Sequence, residues 1–117
     1  MTSRRIHLFR AATFLALPLA VLALQRPALA ADLDAGKNLA QTCTACHGTD
    51  LKSPIDPTYP RIAGQFDDYI VKALGDYQAG ARKNPIMGGI AKPLSKSDIE
   101  NVAAYIASLS GPLNQRR

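Results

Sequence analysis

Five consecutive residues, Cys43-Thr44-Ala45-Cys46-His47, carry the clearest chemistry in this chain. On a helix, positions i, i+3 and i+4 share one face. Two thiols and an imidazole in that register can all reach one edge of a flat cofactor. C-x-x-C-H is the attachment signature of c-type haem, in which the cysteines bond the vinyl groups and the histidine ligates the iron. Other uses of these residues fit less well. A structural zinc ion takes four ligands, and these are the only Cys and His residues after the first thirty, so zinc falls one short. A thioredoxin-like thiol pair belongs in a βαβ context, and no strand pattern is present. A plain disulfide between Cys43 and Cys46 stays open for an exported protein, but it gives a small domain nothing to pack around.

A six-coordinate haem needs a second axial ligand, and a His/Met pair raises its potential. Met87 is the one methionine beyond Met1. It sits in Asn84-Pro85-Ile86-Met87-Gly88-Gly89, read as a turn-rich loop whose glycines allow close backbone approach. The competing reading is a methionine that fills a gap in the core. We expect His47 and Met87 on the iron of a single covalent haem c. No nucleophile–base pair or carboxylate dyad points to an enzyme. Asp67 and Asp68 are adjacent and diverge on a helix. An electron carrier with no small-molecule substrate is therefore expected.

Three helical segments must position these residues. Leu33–His47 puts the motif in its last turns, with Asp34 read as its N-cap. Gly36 inside it lowers helix propensity and points to close packing against another helix. Residues 65–78 carry Phe66, Ile70, Ala73, Leu74 and Tyr77 at spacings of three and four. Asp67 and Asp68 fall in its first turn, where the helix dipole favours them, and Gly80 ends it. Residues 96–109 show an apolar stripe of Ile99, Val102, Ala103, Ile106 and Leu109. Ser95 and Asp98 read as its capping box, Leu94 and Ile99 as a hydrophobic staple, and Gly111-Pro112 as its stop. Residues 48–64 and 81–93 read as ordered loops. The expected class is all-α, three main helices with ordered loops wrapped around one bound group.

The first thirty residues look like a separate segment. Arg4, Arg5 and Arg10 precede the uncharged apolar run of residues 11–24, and Ala28-Leu29-Ala30 makes a small-residue site. Those are the three parts of a secretory signal; the alternative is an uncleaved N-terminal anchor, but the run is shorter than the ~18 residues a spanning helix needs. Cleavage after Ala30 would divide the chain into a signal, residues 1–30, and one domain, residues 31–117, located in the periplasm. Removing 30 of 117 residues leaves 87, a small domain of the kind that often needs a bound group for its core. Of 14 basic residues, Arg4, Arg5, Arg10 and Arg26 would leave, and none of the nine acidic ones. The mature balance is then ten against nine, or +1. The basic character belongs to the targeting segment, so nucleic acid is not an expected partner.

Beyond the motif, the chain from about Asp34 to Leu109 resembles the class I cytochromes c. The resemblance rests on Gly36-Lys37, the C-x-x-C-H-G run at 43–48, Pro60-Arg61-Ile62-Ala63-Gly64, Gly80-Ala81-Arg82-Lys83-Asn84, Met87, and Asp98-Ile99 through Tyr105. Residues 60–84 are especially similar to one half of the tandem di-haem cytochromes c of bacterial periplasms. With one C-x-x-C-H, this chain would be a mono-haem relative. The resemblance implies the small cytochrome c fold. It implies that the Pro60 carbonyl accepts a hydrogen bond from His47, that Arg82 and Lys83 meet the haem propionates, and that Gly36 packs near Tyr105. The family's aromatic on the first helix is replaced by Ala40. The function implied is one-electron transfer by transient docking with redox proteins, membrane complexes among them. The alternatives are a haem subunit of a larger dehydrogenase or oxidase complex, and a haem enzyme or gas sensor with Met87 off the iron.

Overall fold

A computed structural model describes residues 30–113, so the expected signal segment lies outside the described residues except for Ala30. Four helices follow in order: α1 (Leu33–His47), α2 (Asp67–Ala79), α3 (Pro85–Ala91) and α4 (Lys96–Ser108). There is no strand among the described residues. The all-α class expected from the sequence is the class observed. One element was not foreseen: the segment read as a loop at 81–93 holds α3. Its start has an ordinary cause. Asn84 is the N-cap and Pro85 takes the first turn, where its missing N–H costs nothing.

The other caps follow local chemistry. Asp32, not Asp34, caps α1, accepting hydrogen bonds from Asp34 N at 3.0 Å and Ala35 N at 2.9 Å. Gly80 ends α2 in the left-handed conformation, φ 72°. Ser95 and Asp98 form the reciprocal capping box of α4. The Ser95 hydroxyl donating to Asp98 holds that carboxyl below its ordinary pKa.

α1 packs chiefly on α4, α2 lies on α4, and α3 lies on α2. The α1–α4 crossing is close because Gly36 has no side chain. A Cβ there would run into the Asn101 carbonyl and stand 2.9 Å from Tyr105 Cβ. Asn101 also accepts from Asp32 N at 2.9 Å, tying the start of α1 to α4. The buried apolar residues are Ala40, Leu51, Ala63, Ile70, Ala91, Ile99, Val102, Ala103 and Ile106. Four of these nine are alanines, and no large side chain among the described residues is wholly enclosed. Burial at roughly 25 cal/mol per Å² yields little from such small groups.

The connection from α1 to α2 is a fixed structure. Asp50 accepts from Lys52 N and Ser53 N at 2.9 and 2.7 Å, closing a turn. Leu51 is buried with φ 55°, uncommon for a residue with a side chain. Its carbonyl receives both Ile62 N and Ala63 N at 2.9 Å. Gly64 N then donates to Ile106 O at 3.0 Å, which fastens this segment to the end of α4.

Candidate functional site

The motif sits in the last turns of α1, so helical geometry sets Cys43, Cys46 and His47 along one side. Both cysteines are free and half-buried. Burial is the main cause that pushes the Cys43 thiol up, and the neighbouring Cys46 adds to it against an opposing backbone hydrogen bond. His47 ends the helix and is 7% exposed. Gly48 follows with φ 88°, and a Cβ there would strike the Ser53 carbonyl. The chain can therefore turn directly after the histidine only with glycine in that place.

The structure brings His47 and Pro60 together. His47 Nδ1 lies 2.7 Å from Pro60 O. A carbonyl only accepts, so Nδ1 carries a proton, and in the neutral ring the lone pair is then on Nε2. This is the arrangement that orients a metal-ligating histidine and fixes its tautomer. The fixed connection between α1 and α2 holds the Pro60 carbonyl in place. Tyr59 adds an edge-to-face contact with the imidazole, centroids 6.3 Å apart at 68°. Sequence reading did not single out Tyr59. Its one signal was an aromatic directly before the proline of interest.

Met87 lies in the first turn of α3 and is half-buried. Its N–H donates to Asn84 Oδ1 at 3.0 Å. Arg82 is exposed and lies along α2. Its Nη1 donates to Tyr69 Oη at 3.3 Å, and its guanidinium carbon stands 4.9 Å from the Tyr77 ring centroid. The Tyr69 hydroxyl is the main cause raising the Arg82 pKa above its ordinary value. One of five N–H donors is used there, and four stay available. Lys83 is exposed.

The donor set fits a covalently held haem. Two thiols can form thioethers, and a buried imidazole offers Nε2 while its other nitrogen is committed. The core of the described residues fits too, since four of its nine buried apolar residues are alanines. No cluster of three or more His, Cys, Asp or Glu among the described residues is arranged to hold a bare metal ion.

Comparison with known proteins agrees with this arrangement. The sequence profile described as cytochrome c matches residues 33–110. Cytochrome c4 of Stutzerimonas stutzeri is 41% identical over 91 residues, 70% of this chain and 43% of that protein. Cytochrome c-554(548) of Halomonas halodenitrificans is 39% identical over 82 residues, 68% of this chain and 98% of that protein. Among solved structures, reduced recombinant cytochrome c4 from Pseudomonas stutzeri superposes with a TM-score of 0.64 at 38% identity, over 70% of this chain and 47% of that one. The chain thus spans less than half the length of the cytochrome c4 relatives, and nearly all of the Halomonas one.

Proposed function

Because the chain belongs to the cytochrome c family and so carries covalently bound haem c, we propose that it is an exported one-electron carrier. Cys43 and Cys46 hold the haem, and His47 and Met87 ligate its iron. The observation that carries this reading is the 2.7 Å bond from His47 Nδ1 to Pro60 O. It leaves Nε2 as the one imidazole donor and fixes the direction of the ring.

The haem supplies the redox chemistry, cycling between ferric and ferrous iron. The rest belongs to the chain. The two thioethers keep the cofactor from being lost outside the cell. Burial of His47 keeps water from competing for its nitrogen. The Pro60 carbonyl raises the basicity of the ligand and prevents its rotation. The Met87 thioether is soft and uncharged, which favours the ferrous state and a high potential. Asn84 fixes the Met87 backbone through its N-cap bond. Arg82, whose guanidinium lies over the Tyr77 ring and gives one N–H to Tyr69 while the others are free, is suited to meet a propionate.

The leader read at residues 1–30 supports delivery to the periplasm, where the domain of residues 31–117 works. No helix among the described residues is long and apolar enough to cross a membrane. Partners are other redox proteins, met transiently. The test is mass spectrometry of acid-denatured protein from cells that mature c-type proteins. The expected product begins at Ala31 and carries one haem that survives denaturation. A bare polypeptide mass, from cells shown to mature a control cytochrome, contradicts the proposal.

A further inference from the structure

α3 cannot hold itself in place. It has seven residues and two adjacent glycines, Gly88 and Gly89. Isolated helices below ~12–15 residues are marginal even for strong helix formers, and glycine is a poor one. Among the described helices, α3 packs on α2 alone. What fixes it there decides where Met87 is.

Gln78, in the last turn of α2, crosses that contact. Its Nε2 donates to Ala91 O at 2.8 Å and to Leu94 O at 2.7 Å. Both partners are carbonyls, which only accept, so the amide nitrogen must face them and both of its hydrogens are used. Ala91 is the last residue of α3 and is completely buried. Leu94 stands just before the cap of α4. Carbonyls at a helix C-terminus lack partners within the helix; Ala91 O takes one from Leu94 N at 3.0 Å, in its own segment, and the Gln78 amide adds the one that comes from another helix. At the opposite end Asn84 caps α3, but Asn84 belongs to the same segment and moves with it. Among the described residues, Gln78 makes the only side-chain hydrogen bonds joining residues 85–94 to another element.

We infer that Gln78 is the positioning residue for Met87. By clamping the C-terminal end of α3 onto α2, it keeps the thioether at the iron and sets how readily an outside ligand displaces it. The inference rests on the reading of Met87 as an axial ligand. Gln78 touches neither haem nor iron in this role and acts through the helix it holds.

Imidazole binding to the ferric, haem-loaded protein tests it, followed by loss of the Met–iron charge-transfer band. Gln78→Glu keeps the shape and loses both donors. Gln78→Lys keeps donors, on a cation that helix carbonyl ends favour. Two lost hydrogen bonds predict about tenfold tighter imidazole binding in Gln78→Glu. Gln78→Lys should stay within about twofold of the parent. Gln78→Ala, read in the same assay, serves if the Glu variant fails to mature. Unchanged imidazole affinity in the donor-less variants overturns the role of Gln78 while the ligation reading stands, provided that the parent shows the band and Met87→Ala abolishes it. Equal weakening in the Glu and Lys variants also overturns it, because donors would then not matter. If the parent lacks the band, or Met87→Ala retains it, the ligation reading fails and the positioning role fails with it.

Discussion

At the scale of single residues, His47 Nδ1 donates to the Pro60 carbonyl at 2.7 Å, which leaves Nε2 as the nitrogen that would meet the iron in the proposed site. The second ligand then decides what the haem does. If Met87 joins His47 in holding the iron, the haem would keep both protein ligands through its redox change, and electron transfer would need little rearrangement of the chain. Met87→Ala should leave the haem attached through Cys43, Cys46 and His47. It should open the sixth position to water or carbon monoxide and lower the potential, within the ~0.8 V span that axial ligands control. Potentiometry of the purified variant checks this, and an unchanged potential and spectrum would make Met87 a packing residue. The attachment motif was legible in the sequence because covalent haem chemistry dictates both residue types and their spacing. Tyr59 was not, because an edge-to-face contact imposes no spacing and appears only once the loop has closed over His47.

At the scale of elements, α2 and α4 could be read from their apolar stripes, and α1 from the motif it carries, although its cap was read at Asp34 rather than Asp32. α3 could not. Two glycines and a proline within seven residues look like a turn, and its stability comes from Gln78 and from burial against α2 rather than from its own sequence. The signal that remained was the Asn84-Pro85 pair, a cap followed by a first-turn proline. The α1–α4 crossing was legible as Gly36, although the carbonyl it meets, that of Asn101, was not. That contact makes the sign of a substitution informative. In an open helix interior, Gly→Ala stabilises by about 1 kcal/mol. At Gly36 the new methyl would push against the Asn101 backbone, and overpacking costs roughly 1–3 kcal/mol. Gly36→Ala should therefore lower the denaturant midpoint of the haem-loaded protein. A raised midpoint would show that the crossing has room to spare.

At the scale of the molecule, four of the nine buried apolar residues among those described are alanines, which leaves the core short of apolar bulk. A covalent haem supplies the missing apolar bulk, and the same group supplies the function. The charge pattern agrees with a carrier that must leave its partners. If residues 1–30 are removed as proposed, ten basic residues face nine acidic ones, and long-range steering would be weak. As a one-electron carrier, the protein would hold its haem iron through both His47 and Met87. The most direct test is an optical redox titration of the mature, haem-loaded protein, with a carbon monoxide challenge of the reduced form. The account predicts a single reversible one-electron transition at high potential, a Met–iron charge-transfer band in the ferric state, and no rapid carbon monoxide adduct. Prompt carbon monoxide binding by the ferrous protein, with no such band in the ferric form, would contradict it.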